Sequence, residues 1–529
     1  MGRPKGSKTK TGATGVVPGG IPGQMGLAIE PDANAAPAAV PATRDIVARL
    51  WNLCHTLRDD GVTYGAYVTE LTYLLFLKMM QETGQEERLP PGCRWSDLVA
   101  LDGPALLARY REALLRLGEH GTDAVGSIYA DAQTTIRKPA TLRGLVVAID
   151  ALDWYDARQD GLGDLYEGLL ERNAAERKSG AGQYFTPRPL IDCIVRLMQP
   201  RAGEVVQDPA AGTGGFLVAA DRHVKAHTGG LYDLPPAEQE WQRTQALRGL
   251  ELVQDTHRLL LMNLLLHGIE PDGVRGGDTL SADGEALGRA DVILTNPPFG
   301  TKRGGGATTR QDFSVTAGVG NKQLAFVEHV VRALKPGGRA AVVLPDNVLF
   351  ADGVGVSLRR WVMELCDLHT ILRLPTGIFY AQGVKTNVLF LRRGERDRAN
   401  TRAVWVYDLR AGQPSYGKTR TLRPEDFAAF EAAYGSDPNG AAARTDEGEA
   451  GRFRRFTREE VAARGDNLDI SWLRGGDEAA EDALEEPEAI AQAIAEHLRR
   501  ALVEVEAVAA ELDGAGEVGA AEPMARAAE

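Results

Sequence analysis

Asn296-Pro297-Pro298-Phe299 packs more potential chemistry into four residues than any other stretch of this sequence. It follows Ala290–Thr295, a short, largely apolar run of the kind that forms a buried strand. Two prolines end that strand, because neither donates to a ladder and each restricts its neighbour. The result is a stiff loop at a strand's carboxyl end, where open α/β sheets place their ligands. There the Asn296 side-chain carbonyl, the Pro297 backbone carbonyl and the Phe299 ring converge. Two acceptors and an aromatic face suit an exocyclic amino group on a planar base, held by its N–H bonds while the ring stacks. A proline-terminated strand without chemistry reads equally well from these four residues alone. A partner site has to decide.

That partner lies upstream. A strand, Glu204-Val205-Val206-Gln207, runs into Asp208-Pro209-Ala210-Ala211-Gly212-Thr213-Gly214-Gly215, and a helix opens at Phe216. A glycine turn between strand and helix lets a cofactor approach the backbone, with helix N–H groups aimed at it. Asp208 distinguishes this turn from phosphate-binding loops: it repels a pyrophosphate and suits a cationic amino-acid moiety. S-adenosylmethionine carries such a moiety and no phosphate. On the next strand, Leu247–Leu252, Glu251 is placed to accept both ribose hydroxyls, with a structural salt bridge as the plainer alternative. It lies 39 residues beyond Gly212, and an insertion around Thr228–Glu240 absorbs the excess over dinucleotide folds. Asp278 is a candidate for the cofactor's adenine amino group, or simply a turn aspartate.

A third segment, Gln183-Tyr184-Phe185-Thr186-Pro187-Arg188, precedes these two, and the four stretches occur in one order at workable spacing. In this the chain resembles HsdM, the modification subunit family of type I restriction–modification systems. The resemblance continues through Leu334–Arg339, Ala340–Leu344 with Pro345-Asp346-Asn347, Leu374–Phe379 and Gly383–Asn387, and spans residues 42–512. It implies S-adenosylmethionine on Gln183–Arg188, on Thr213–Gly215 and on Glu251, with the target base on Asn296–Phe299. Thr213 stands where serine is commoner. It further implies methylation of adenine N6 in duplex DNA after base flipping, without a cysteine nucleophile. The partners it implies are a specificity subunit, a restriction/translocase subunit and a second copy of the chain. The alternatives are a self-contained amino-methyltransferase acting on adenine N6 or cytosine N4, and a catalytically idle scaffold. Intact Asn296 and intact glycines argue against the scaffold.

The elements that must position these residues follow from pattern. The expected fold class is α/β: a Rossmann-like S-adenosylmethionine-dependent methyltransferase domain, an N-terminal all-helical domain and a C-terminal docking helix. Residues 1–42, rich in Gly, Ala and Pro, are expected to be a disordered basic tail. Residues 43–160 read as helical, with Ile46, Leu50, Leu53 and Leu57 forming one stripe. Residues 161–400 read as the catalytic domain and 401–484 as an extension. Residues 485–512 read as an acidic partner-docking helix, with Ile490, Ile494 and Leu498 on one face, and 513–529 as a tail.

Composition narrows the setting. No apolar run reaches membrane-spanning length, no apolar segment follows the basic N-terminus, and the four cysteines lack metal-ligand spacing. A cytoplasmic protein without a metal site and without a membrane partner is expected. The net charge of −13 comes mostly from Asp477–Glu529, where 15 acidic residues face 3 basic ones. Between Phe299 and Arg339, by contrast, seven basic residues face two acidic ones. A local excess of that kind serves phosphate contacts. The glycine-rich stretch Lys302–Asn321 is expected to lack a core to pack on.

Overall fold

A computed structural model describes residues 46–53, 57, 64–120, 123–152, 154, 162–176, 185–300, 309–379, 385–413, 415–417 and 420–473. The basic tail, the docking helix 485–512 and the final tail lie outside these.

Nine strands form one sheet: β1 Val206–Asp208, β2 Leu247–Glu251, β3 Val274–Gly276, β4 Ala290–Thr295, β5 Leu334–Pro345, β6 Cys366–Arg373, β7 Thr386–Arg393, β8 Ala403–Asp408 and β9 Phe453–Thr457. Their order is β3-β2-β1-β4-β5-β7-β6-β8-β9. Strands β1 to β5 are parallel, and β7 enters antiparallel between β5 and β6. Because β1 has β2 on one side and β4 on the other, the strand order reverses there. The carboxyl ends of β1 and β4 thus border the crevice in which a doubly wound sheet takes its ligand. Val206 pairs with Val292 and Gln207 with Ile293, so the loops after Asp208 and Thr295 start side by side. This is the expected Rossmann-like α/β arrangement.

Burial on both faces explains the apolar runs. In β4, Val292 and Leu294 enter one core while Ala290 and Ile293 enter the other; in β7, Val388 and Phe390 oppose Leu389 and Leu391. Helices Arg188–Met198 and Gly215–Ala226 cover the first face, and Lys322–Ala333 and Val354–Leu365 the second. A third core is helical, built from Ile46, Leu50 and Leu57, the long helix Tyr64–Glu82, Gly103–His120, Pro139–Asp150 and Leu162–Glu176. Helix Gln254–Leu266 belongs to two cores at once. Its Leu261 and Met262 pack into the helical core, and its Leu260 and Leu264 into the sheet core. Its Arg258 is buried and donates to the Ile128 and Ala130 carbonyls, which bolts the two together.

Three elements depart from the sequence reading. The insertion after Thr228 contains a helix, Pro236–Thr244. Strand β9, Phe453–Thr457, lies in the extension 401–484, at residues where the sequence reading placed no strand. The expected coreless stretch is anchored from Thr309 onward: Phe313 packs with Leu280, Ala325 and Phe326, and the fully buried Glu328 carboxylate accepts from the Ser314 and Thr316 N–H groups. Three of its five glycines, Gly304 to Gly306, precede that anchored part, and Gly318 and Gly320 lie within it.

Candidate active site

The glycine turn is built by close packing. Gly214 has φ +88°, and a Cβ there would lie 2.6 Å from Leu260 Cδ1; one on Gly215 would lie 2.7 Å from Ile191 Cδ1. Side chains at these positions would push the helix Gly215–Ala226 off its neighbours. The turn is also tied down by hydrogen bonds. Ala211 N–H donates to the Leu250 carbonyl, Asn263 Nδ2 donates to the Thr213 carbonyl at 2.9 Å, and Gly212 N–H donates to Glu251 at 3.0 Å.

These elements border a cavity at the carboxyl ends of β1 and β4. Of the sequence candidates, Phe185, Thr186, Arg188, Asp208, Gly212, Thr213, Gly215 and Asn296 line it. Gln183 and Tyr184 lie outside the described residues. Gly214 turns the loop from behind. Glu251 stands beneath the loop, its carboxylate accepting from the Gly212 and Val253 N–H groups. Burial raises its pKa against those backbone donors. Pro187 precedes the helix Arg188–Met198. Asp278 does not line the cavity; its carboxylate accepts from the Leu280 N–H in a turn.

Asp208 is a strongly perturbed acid in the wall of the cavity. Burial pushes its carboxyl up to about 7, nearby Glu251 adds to the rise, and the Ala210 N–H opposes it. Two carboxyl groups in so small a space favour a cationic ligand over a phosphate. Arg188 does not reverse this, because it is paired with Glu167 and Asp164 of the helix Leu162–Glu176. Asp164, Glu167 and His267 bring ligand-type atoms within 4.8 Å of one another, but the Arg188 guanidinium already fills the cation's place.

The Asn296 loop forms the opposite wall. Asn296 is buried, its Nδ2 donates to Thr186 Oγ1 at 3.0 Å, and its Oδ1 is buried with no hydrogen-bond partner among the described residues. A buried amide oxygen left free while the other half of the amide is fixed is an acceptor held ready for a donor. Pro297 is buried behind it. Phe299 meets Phe379 edge to face, ring centroids 6.3 Å apart at 77°. The Asn296–Phe299 loop and the Thr186 segment, 110 residues apart, are thus one constellation.

With both loops in place, a comparison with known proteins becomes decisive. Residues 157–482 match the family model described as N-6 DNA Methylase. The chain belongs to that family. The methylase is 48% identical over 513 residues to the type I restriction enzyme EcoKI methylase subunit of Escherichia coli K12, covering 89% of this chain and 96% of that one. It is 31% identical over 454 residues to the Escherichia coli EcoEI methylase subunit, covering 80% and 89%. Among solved structures it resembles the EcoKI M protein at 44% identity and a TM-score of 0.55, covering 90% and 97%. A chain from a study of type I R-M complex assembly and conformational transition aligns at 27% identity and a TM-score of 0.66, covering 90% and 99%. The methylase is therefore a type I methylase subunit with the methyltransferase fold that its sheet order displays.

Sequence reasoning missed three features of the site. Glu167 and Leu170 line the cavity from a helix that the sequence shows only as the lead into the catalytic domain. Phe379 sits in a stretch quoted for its resemblance, with no signal that it would meet Phe299. Thr186 was assigned to cofactor alone, yet it holds Asn296. The basic excess after Phe299 is also corrected. Arg310 pairs with Asp312, Arg332 with Glu328, Lys335 with Asp291 and Arg339 with Glu204, so four of the seven cations are neutralised within the protein. Alternate lysines and arginines in sequence do not reveal which find carboxylates in space. Among the described residues, no helix is long and apolar enough to cross a membrane.

Proposed function

We propose that this methylase transfers a methyl group from S-adenosylmethionine to N6 of an adenine flipped out of duplex DNA. In this reading it is the modification subunit of a type I complex and works with a separate specificity subunit, a second copy of itself and a restriction subunit. The observation that carries the proposal is the orphaned, buried Asn296 Oδ1 in the wall of the glycine-loop cavity. Gly212–Gly215, Glu251, Asp208 and the Phe185–Arg188 segment hold the cofactor in this reading. Two carboxyl groups and a glycine cradle suit its cationic amino-acid end and its ribose. When bound, it supplies an electrophilic methyl carbon.

The chain's own residues do the rest by positioning. Asn296 Oδ1 and the Pro297 carbonyl accept the two N–H bonds of the adenine amino group and so turn its lone pair toward the cofactor. Phe299 stacks on the flipped base, returning roughly 1–3 kcal/mol of the few kcal/mol that flipping costs. Phe379 braces that ring from its edge.

Direct base readout needs side chains that reach base edges, and downstream of the catalytic domain the sequence offers no zinc pattern and no basic recognition helix for it. The acidic segment 485–512 repels phosphates and is read as the docking helix for the specificity subunit. The test is reconstitution. The purified chain should bind S-adenosylmethionine but methylate no defined site, and adding the specificity subunit should restore site-specific N6 methylation. Robust methylation of one site by the isolated chain would refute the division of labour and favour a self-contained enzyme.

A further inference from the structure

At the pole of the sheet opposite Asn296 a second, open cavity of about 520 Å³ is found. It is walled by the first residues of β6 and β8, the end of β7 and part of β9. Asp367 to Arg373 runs the length of β6, roughly 20 Å at a strand's rise. A duplex presenting a base to Asn296 has the whole sheet between itself and this cavity.

Its charge is one-sided. Arg392, Arg396, Arg402 and Arg455 line it against Asp367 and Glu395. Acids outnumber bases in the chain, 73 to 60, and elsewhere arginines find carboxylates readily, as Arg339 does Glu204 and Arg410 does Asp346. None of these four shows an ion pair with a described residue. Burial lifts the Asp367 pKa to about 6 against Arg392, Arg444 and Arg402, so at neutral pH it is mostly ionised and offsets one of these charges, and the arginines still outnumber the acids of the lining.

Two buried nitrogens in the same wall, Arg392 Nε and His369 Nε2, also have no hydrogen-bond partner among the described residues. Burial keeps the His369 imidazole neutral, its pKa lowered to about 3. Arg444 donates to Thr370 Oγ1, and that hydroxyl sits 2.9 Å from His369 Nδ1. With the hydroxyl proton directed to Nδ1, the remaining ring proton is on Nε2, which makes that nitrogen a donor. Trp405 forms part of the wall and packs on Phe453, ring centroids 4.8 Å apart and planes tilted by 32°.

We propose that this cavity binds a compact phosphate-bearing anion. Guanidinium forks match phosphate oxygens two at a time, and such charge-assisted hydrogen bonds are about twice as strong as neutral ones. A phosphate group has enough oxygens to serve several forks and the buried donors together. The flat Trp405 ring leaves room for a ligand whose phosphate carries an aromatic group.

Inorganic pyrophosphate is the probe, because it has no adenosine part to enter the glycine-loop cavity. Calorimetric titration of the full chain at fixed ionic strength should show saturable binding. R402E/R455E should weaken it about tenfold or more, the loss of one or two charge-assisted hydrogen bonds. Both residues are exposed on the rim. R402Q/R455Q, which removes the cations without adding charge, should also lose affinity and serves if the reversal unfolds the chain. R289E, in the separate cavity beside Trp361, should leave binding unchanged. Equal affinity in wild type and both double variants would overturn the assignment. So would an arginine-dependent affinity for an acidic peptide with none for pyrophosphate, which would make the cavity a protein-docking surface.

Discussion

Replacing Thr186 by valine tests whether the site works as two loops or one. Valine has nearly the shape of threonine but no hydroxyl. In the native site Asn296 Nδ2 donates to Thr186 Oγ1 at 3.0 Å, and both side chains are buried, 7% and 8% exposed. Without the hydroxyl the amide has a stranded donor, at a cost of about 1–3 kcal/mol. It then either rotates, presenting nitrogen where the base requires oxygen, or swings out of the wall. Both remove the acceptor that aligns the adenine amino group. If that cost falls on the transition state, kcat drops roughly 5- to 150-fold, since about 1.4 kcal/mol is a factor of ten.

The assay is single-turnover methylation of cognate DNA by the complete complex, with cofactor affinity measured separately by calorimetry. Thr186→Val should lower the rate and leave cofactor affinity within a few-fold. Thr186→Ser, which restores the hydroxyl, should recover most of the rate. Equal losses in the valine and serine variants would show that shape, not the hydrogen bond, is what matters. A loss of cofactor affinity with the rate intact would return Thr186 to the cofactor alone.

Three further outcomes are expected. Asn296→Ala should abolish methyl transfer with cofactor affinity changed only a few-fold; a collapse of binding would mean that the base and cofactor sites are not separable. Glu251→Ala should weaken cofactor binding by about 1.5–3 kcal/mol, the range for charged hydrogen bonds; unchanged affinity by calorimetry would leave Glu251 as a brace for the Gly212 N–H alone. Asp208 makes binding pH-dependent. Its folded pKa is raised to about 7, so the free protein holds a proton that the unfolded chain releases, and its stability falls as pH rises from about 4 to about 7. A bound cation favours the ionised carboxylate, so cofactor affinity should climb about tenfold between pH 6 and pH 8, then level off. Asp208→Asn should flatten both profiles, and an unaltered profile in that variant would remove Asp208 from the titration.

The legible parts of this molecule were those that depend on local chain stiffness. Prolines ending a strand and glycines between strand and helix leave marks within a few residues, so β1, β4 and their loops were readable with their side chains. So were the long amphipathic helices. What depends on partners distant in sequence was not readable. Strand β3 is three residues long and is held by its pairing with β2, not by its own composition. Strand β9 forms because Phe453 and Phe456 find Trp405 and Trp472 across the sheet edge. The Thr186–Asn296 bond spans 110 residues, and nothing near either residue announces the other. The cations after Phe299 show the same limit, because their acids lie as far off as Asp291 and Glu204.

The site draws its walls from both cores, and that has a mechanical meaning. Glu167 and Leu170 come from the helical core, the glycine loop and Asn296 from the sheet. Helix Gln254–Leu266 is packed into both, follows directly on Glu251, and through Asn263 holds the Thr213 carbonyl. Any rotation of the helical core against the sheet would therefore pull on Thr213 and on the carboxylate of Glu251 at the same time. Rigid packing transmits such shifts because interiors are close-packed. In the proposed complex, the strain of assembling around a specificity subunit can thus reach the cofactor pocket without any partner touching it, through this helix and through the pairing of Arg188 with Asp164 and Glu167.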